Sequence, residues 1–313
     1  MLRNDLNPFN SVKLIALESY FDEMVKLYET NAFPKVLLLN GKKGIGKFTL
    51  TFHFLNYIYS KKEKTHYNII DKLINPNSNF YNSILKETCA DVIFFKAEEG
   101  KNIKIDDVRN LKSVLSKTSL SDNPRFTIID EVEYLNSNSA NALLKTLEEP
   151  SKNNHFILIN NQQAKLIETI SSRCLKNNVY LNSNQQKSVI NYFIKNDKLD
   201  ICMHNSDNLT PGVFFKYNEI YNKYKININD NISLKINKLL HAYKKDKNKM
   251  IINISNFLIE DFFFTSIKEN SKKIDMLIKL KSFILNKIND FTIYNLNINS
   301  VLKYIELKLN NVR

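Results

Sequence analysis

The sequence predicts an α/β domain built on a parallel sheet, followed by a region that is entirely helical. Four short apolar segments predict the sheet, because their apolar residues run continuously, which is typical of strands buried on both faces. Stretches with helical spacing separate them, and strands that alternate with helices form parallel sheets. The four segments are residues 36–40, 92–95, 126–130 and 156–160.

Strand patterns stop after residue 174, and helical spacing continues to the end of the chain. Pro211 and Gly212 break a region of short helical pieces. From residue 226 onward, three amphipathic patterns predict helices, and the core of a helix bundle is the ordinary explanation for such apolar stripes. We therefore predict three domains. They are an α/β domain at 1–178, a small helical domain at 179–225 and an all-helical domain at 226–313.

Composition excludes several classes of protein. The chain has 313 residues, and 45 Lys and Arg against 32 Asp and Glu give a net charge of +13. Hydrophobic residues at 43% and charged residues at 25% are ordinary for a globular chain, which argues against disorder. The apolar runs are far shorter than the roughly 20 residues that cross a membrane, and residues 1–10 do not resemble a secretory signal. We expect a cytosolic protein without a membrane span.

The cysteines and histidines do not predict a metal site. Cys89, Cys174 and Cys202 lie far apart, and the five histidines are scattered. A disulfide framework and a four-ligand zinc module are both excluded by this pattern.

The net positive charge favours a polyanionic partner, but part of the lysine excess has another explanation. Heavy use of Asn, Lys and Ile indicates a coding bias toward A and T, which accounts for some of the lysine excess. Arg occurs at only five positions. Each retained Arg is therefore a candidate for a role that needs its planar, forked side chain.

A glycine-rich segment follows the first predicted strand. Three glycines between residues 41 and 46 precede Lys47, and a helical pattern begins directly afterwards. A phosphate chain needs unobstructed backbone N–H groups, a helix N-terminus and one ammonium group, so this segment predicts a phosphate-binding loop. Phe48 stands where a hydroxyl group would coordinate Mg²⁺, and Thr49 follows one position late. Nucleotide binding is predicted here, without efficient hydrolysis.

Asp130 and Glu131 stand at the end of the third predicted strand. An Asp at a strand tip can reach the coordination shell of Mg²⁺, and the following Glu can activate water. Such a pair alone is common in solvated loops. Together with the phosphate loop, it predicts the acidic motif of a nucleotide site.

Residues 130–150, residues 157–161 and the triplet Ser172-Arg173-Cys174 together resemble the AAA+ clamp-loader subunits of bacterial replicative polymerases. Segments 33–47 and 90–109 support the likeness, which covers about the first 180 residues. The resemblance implies an AAA+ P-loop domain, a helical lid and a helical collar for the three predicted domains.

Within that family the chain is most similar to the delta-prime branch. Three features of the gamma/tau motor branch are missing: zinc-binding cysteines before the second strand, a long tail after residue 313, and an Arg in the lid segment 209–213. The missing lid Arg implies weaker coupling between a bound nucleotide and the lid.

The resemblance assigns roles to individual residues. Arg173 corresponds to an arginine finger that acts in trans on a neighbouring subunit's nucleotide, with a surface ion pair as the alternative. Asn161 corresponds to the polar first sensor, with strand-end capping as the alternative, and Glu131 has a catalytic role. Arg109 and Arg125 match no motif, so we expect both on the surface. The implied nucleotide-binding residues are Gly41, Gly44, Gly46, Lys47, Thr49, Asp130 and Asn161, with Asp130 and Thr49 as the candidates to hold Mg²⁺.

The favoured function is a largely architectural clamp-loader subunit of the DNA polymerase III holoenzyme. It would close one end of a ring-like assembly, help to load the sliding clamp on primed DNA and complete a neighbour's ATP site. The implied partners are the gamma/tau and delta subunits, the sliding clamp and primed DNA. ATP with Mg²⁺ is the candidate cofactor, without zinc. The alternatives are an autonomous AAA+ ATPase, either a gamma-like motor or a remodeller, and a small-molecule P-loop kinase.

Overall fold

The computed structural model describes residues 7–96, 103–115, 123–151, 153–197, 201, 209–269 and 273–310. The strands are β1 (Val36–Asn40), β2 (Val92–Lys96), β3 (Arg125–Asp130), β4 (Asn154–Asn160) and β5 (Leu175–Asn178). The helices of the first two thirds are α1 (Glu18–Glu29), α2 (Lys47–Ser60), α3 (Asn79–Leu85), α4 (Ile105–Leu115), α5 (Ser137–Glu148), α6 (Glu168–Ser171), α7 (Ser183–Asp197) and α8 (Pro211–Lys223). Those of the last third are α9 (Ile232–Asp246), α10 (Lys249–Glu269), α11 (Ile274–Tyr294) and α12 (Ile298–Asn310).

The five strands form one parallel sheet in the order β2-β3-β4-β1-β5. The predicted α/β class is confirmed, and the four predicted strands correspond to β1 to β4. Leu37 and Leu39 pack in one apolar cluster, and Leu38 packs in another on the opposite face. Burial on both faces explains why these strands appear in the sequence as continuous apolar runs.

Strand β5 was not predicted, so the expectation that strands end before residue 175 is wrong. It lies at the edge of the sheet, where Leu175 pairs with Leu37 and Asn178 pairs with Asn40 of β1. Three of its four residues are exposed. An edge strand with polar, exposed side chains carries no apolar pattern from which it could be predicted.

Two of the five arginines were expected on the surface, and the structure separates them. Arg109 is exposed and forms an ion pair with Asp106 at 3.0 Å. Arg125 is only 7% exposed, so the expectation is wrong for this residue. The reason is its position at the first residue of β3, an interior strand.

Cys174 is half-buried, and burial raises the pKa of its thiol to about 12. Cys202 lies outside the described residues.

The chain divides into two compact units, Met1–Leu199 with Ser206–Phe214 and Asp200–Asn205 with Phe215–Arg313. The predicted domain bounds at 178 and 225 stay predictions. Pro211 and Gly212 do not interrupt a helix; they begin α8, where proline is favoured because the first residues of a helix have no acceptor for their N–H groups within the helix.

The core of the second unit is built from α9 to α12. The sequence predicted α9, α11 and α12 but not α10, whose apolar residues are spread around the helix. Among the described residues, α10 is the one helix that is long and apolar enough to cross a membrane by length and composition. Its Ile259 and Phe263 are fully buried in the core of this unit, and a buried core helix can have the same length and apolar composition. The absence of a membrane span stays a prediction.

Candidate nucleotide site at the carboxyl ends of the strands

Asparagine side chains join the carboxyl ends of three adjacent strands. Asn40 of β1 donates from Nδ2 to Oδ1 of Asn178 at 2.7 Å, and Asn160 of β4 donates from Nδ2 to Oδ1 of Asn40 at 2.8 Å. Gly41 then donates its N–H to the carbonyl oxygen of Asn160 at 3.2 Å. This ladder fixes the point at which the phosphate loop leaves the sheet. Its sequence signal, an Asn at the end of each of the three strands, was not recognised.

The loop glycines have backbone shapes or surroundings that side chains would not tolerate. Gly44 and Gly46 have positive φ angles of 83° and 95°, in the left-handed region that favours glycine. A Cβ atom on Gly41 would lie 2.2 Å from the carbonyl oxygen of Val179. The three predicted glycines therefore shape the loop between β1 and α2.

Lys47, the first residue of α2, points its ammonium group back at the loop. Its Nζ donates to the carbonyl oxygens of Gly41 at 2.7 Å and Lys42 at 2.8 Å. The residue is 3% exposed. Burial lowers the pKa of Lys47 to about 8, and the carboxylates of Asp130 and Glu133 act in the opposite direction.

Glu131, the predicted catalytic carboxylate, is 1% exposed and is paired with a lysine of the phosphate loop. Its Oε1 lies 2.7 Å from Nζ of Lys43, and among the residues that the structure describes no hydrogen-bond partner reaches its buried Oε2. The φ of Glu131 is 60°, which directs the chain into the short 3₁₀ turn that follows β3. Lys43 was missed because it occupies a loop position to which the motif assigns no residue type.

Asp130 and Asn161 are brought together, as the resemblance implied. Nδ2 of Asn161 donates to Oδ1 of Asp130 at 3.1 Å, and the N–H of Glu131 donates to the same oxygen at 2.9 Å. The other carboxylate oxygen of Asp130 lies 3.4 Å from Nζ of Lys96. Both oxygens of Asp130 are thus already engaged by groups of this chain.

Glu133 positions Asn161 and was not singled out in the sequence. It accepts the N–H of Asn161 at 3.0 Å and that of Gln163 at 3.3 Å. Burial raises the pKa of Glu133, and these backbone hydrogen bonds act in the opposite direction. Its signal in the sequence is the second glutamate in Asp130-Glu-Val-Glu, two places after Glu131.

Phe48 occupies the position of the usual Mg²⁺-binding hydroxyl, and its ring belongs to an aromatic cluster. The ring centroid lies 5.2 Å from that of Phe9 and 5.6 Å from that of Phe94 on β2. Thr49 is half-buried in the first turn of α2. Among the described residues, no hydrogen bond joins the Thr49 hydroxyl to Asp130.

The start of α8 packs directly on the phosphate loop within the first unit. Thr210 donates from Oγ1 to the carbonyl oxygen of Lys43 at 2.6 Å, and Gly212 donates its N–H to the carbonyl oxygen of Gly44 at 2.8 Å. A Cβ atom on Gly44 would lie 2.6 Å from Thr210 Oγ1, and one on Gly212 would lie 2.9 Å from the Cα of Gly44. Two glycine backbones therefore meet face to face.

The residues present do not fit a magnesium nucleotide. Phe48 offers no oxygen, Glu131 is neutralised by Lys43, and Asp130 is engaged by Lys96 and Asn161. In the part of the chain that the structure describes, no group of three or more His, Cys, Asp or Glu side chains could hold a metal ion. The expected absence of zinc stays a prediction.

Arg173 is not brought together with the phosphate loop. It lies in the turn before β5, where Nε and Nη2 both contact Oε1 of Glu148 at 2.5 Å and Nη1 donates to the carbonyl oxygen of Thr169 at 2.9 Å. The residue after next, Leu175, pairs with Leu37 near the start of β1, whereas the loop follows the end of β1. Arg173 and the chain's own loop thus lie at opposite ends of the strands.

Comparison with known proteins identifies the family. A family model described as DNA polymerase III, delta subunit, matches residues 17–182, which is more than half of the chain. The chain belongs to this family. The matched region contains every site residue predicted above, and the resemblance to clamp-loader subunits is confirmed at the level of the family.

Individual members of the DNA polymerase III family differ in how much of the chain they match. The DNA polymerase III subunit delta' of Buchnera aphidicola subsp. Schizaphis graminum is 25% identical over 288 residues, which is 86% of this chain and 83% of that protein. The subunit delta' of Pseudomonas aeruginosa is 38% identical over 90 residues, so this match spans 28% of the chain and 27% of that protein. A gamma subunit-related protein of known structure from Thermotoga maritima is 18% identical, with a TM-score of 0.44 over 95% of this chain and 100% of its own.

Proposed function

We propose that the chain is a delta-prime-type clamp-loader subunit of a bacterial DNA polymerase III, whose own nucleotide site does not hydrolyse ATP. The observation that supports the lack of ATP hydrolysis is the ion pair between Lys43 and Glu131, 2.7 Å long. A glutamate neutralised by an ammonium group is a poor base for activating water. The ring of Phe48 removes the oxygen that Mg²⁺ would need at the same site.

The isolated protein should therefore turn over ATP at background rate, with or without DNA. Steady-state release of phosphate by the pure chain measures this, and Lys47→Ala is the matched variant because it removes the ammonium group that donates to the loop carbonyl oxygens. Wild type and variant should give the same rate. Robust turnover that disappears in the variant would instead favour the alternative, an autonomous gamma-like ATPase.

The proposed partners are the gamma/tau and delta subunits in a hetero-oligomer, the sliding clamp and primed DNA, all in the cytoplasm. Membership of the DNA polymerase III, delta subunit family supports a place in that complex. In this role, ATP and Mg²⁺ act at the neighbouring subunits' sites. Arg173 would complete one of these sites from outside, and its position away from the chain's own loop is compatible with action in trans.

Residues 226–313 would form the collar that holds the subunits together. One flank of α11 supports this, because Ile274 and Ile278 are four residues apart, and therefore on one side of the helix, with exposed fractions of 38% and 44%. Large exposed apolar side chains that adjoin one another mark protein interaction sites.

The collar proposal predicts that Ile274→Glu/Ile278→Glu weakens assembly by about tenfold or more, since a buried charge without a partner is strongly disfavoured at an interface. Co-elution with purified partner subunits, with and without nucleotide, measures the effect. Ile70→Glu is the control, because Ile70 is 86% exposed in the other unit and should tolerate the charge. Full-strength assembly of the double variant would exclude this flank of α11 as the contact.

A further inference from the structure

Aromatic and lysine side chains interleave where α11 packs beside α12. Nζ of Lys308 lies 5.6 Å from the ring centroid of Phe283 and 5.7 Å from that of Tyr304. Nζ of Lys287 lies 5.7 Å from the ring of Tyr304. We call these four residues the aromatic–lysine cluster. Phe283 is 52% exposed, and Lys287, Tyr304 and Lys308 are half-buried, so the cluster lies at the surface of the second unit.

Among the described residues, the two lysines of the cluster form no ion pair. In the described part of the second unit, ion pairs join Lys223 to Asp246 and Lys238 to Asp230, and neither Lys287 nor Lys308 forms one. The rings hold their ammonium groups only by cation–π contacts, which are weak at exposed sites. An anion could therefore recruit both lysines at little cost.

The net positive charge of the chain is concentrated in residues 215–313, the longer segment of the second unit. Residues 215–313 contain 18 Lys and Arg against 9 Asp and Glu, a net charge of +9, whereas residues 1–214 contain 27 against 23, a net charge of +4. A coding bias toward lysine acts on both parts of the chain alike, so it does not explain the difference. A surface with this balance attracts polyanions.

We propose that the aromatic–lysine cluster binds single-stranded nucleic acid. Bases would stack on Phe283 and Tyr304, and Lys287 and Lys308 would contact the phosphates between them. Proteins that bind single strands without sequence preference combine these two elements, a positive surface that follows the backbone and aromatic rings that accept any base. In a duplex the bases are already stacked on each other, so they are not available to stack on the two rings.

The cluster and the proposed collar contact lie on different flanks of α11. At 100° per residue, Phe283 and Lys287 lie on one side of the buried stripe formed by Leu277, Ile284 and Ile288. Ile274 and Ile278 lie on the other side. Strand binding would therefore leave the collar contact free. The proposal does not rest on the clamp-loader role, because the chain alone should bind.

Fluorescence anisotropy with the full chain and a short, labelled oligothymidylate tests the proposal. Phe283→Leu/Tyr304→Leu keeps apolar packing but removes the rings, and should weaken binding about tenfold with an unchanged salt slope. Lys287→Glu/Lys308→Glu should weaken binding and also reduce the salt slope, because fewer counterions are then released. Lys244→Glu/Lys245→Glu is the control, since it makes the same change of charge at two exposed lysines of α9 outside the cluster.

The probe itself provides a second control. An abasic oligomer of the same length should bind the wild type as weakly as oligothymidylate binds the leucine variant. Circular dichroism and the thermal midpoint check that both variants remain folded. Equal losses in the cluster and control variants, equal binding of the abasic oligomer, or ring-dependent binding of polyglutamate at the same affinity would each overturn the proposal, the last in favour of an acidic peptide ligand.

Discussion

Arg173→Lys is expected to lower the DNA- and clamp-stimulated ATPase rate of the assembled clamp loader by an order of magnitude or more, without preventing assembly. The planar guanidinium can contact two oxygens of the transferred phosphoryl group, whereas an ammonium group is a single point charge. Arginine fingers are worth about 10³ to 10⁵ in rate, and the remaining sites of a multi-site complex would mask part of the loss. ATPase and co-elution should be measured on the same preparations.

A substitution of Glu148, which pairs with Arg173, provides a matched variant for this experiment. In the isolated chain its Oε1 holds the guanidinium of Arg173 at 2.5 Å, so Arg173 must exchange this contact to reach a neighbour's nucleotide. Glu148→Gln should leave the stimulated rate equal or higher, because the exchange then costs less. Arg109→Lys changes an exposed arginine in the same way and should have no effect. An unchanged rate in a fully assembled Arg173→Lys complex would show that Arg173 forms a surface ion pair and does not act on a neighbour's nucleotide.

Lys43→Ala is expected to lower the free energy of unfolding by about 3 kcal/mol at neutral pH. The substitution leaves the buried Glu131 without its counter-ion, and breaking a buried pair by removing one partner costs about 3 to 5 kcal/mol, reduced here because Lys43 is 21% exposed. The midpoint of urea unfolding, followed by circular dichroism, reports the change in the free energy of unfolding.

Two further variants separate charge from packing in this experiment. Lys43→Met/Glu131→Gln removes both charges and should recover most of the stability. Lys42→Ala removes the exposed neighbouring lysine and should cost less than about 0.5 kcal/mol. A loss in Lys43→Ala no greater than in Lys42→Ala would show that the ion pair does not stabilise the fold.

The sequence predicted those parts of the fold whose burial imposes a pattern. Strands β1 to β4 pack against apolar side chains on both faces, so each of them contains a largely apolar run that is visible in the sequence. Strand β5 has mostly exposed side chains and contains no such run. Helix α10 carries apolar residues around its circumference, so its sequence shows no clear helical period. Arg125 was misplaced because an interior strand can begin with a charged residue when its partners come from elsewhere in the fold.

The candidate site was predictable in its residues but not in their partners. The loop glycines, Lys47, Asp130 and Asn161 belong to motifs whose residue types and spacing can be recognised in the sequence. The pairing of Lys43 with Glu131 joins residues 88 positions apart, and that of Thr210 with Lys43 joins residues 167 apart. Such contacts depend on how strands and loops are arranged in space, and the sequence carries no periodic trace of them. These partners decide whether the site can work.

The separation of Arg173 from the phosphate loop gives the subunit a direction. One end of its sheet carries a site that its own lysines have already filled with positive charge, and the other end carries an arginine that its own loop never meets. On the proposed role, such a chain donates to a neighbour without requiring a donor in return. A row of subunits that contains one copy would therefore have at least one fewer working site than it has members, and this chain would contribute to a contact on one side only.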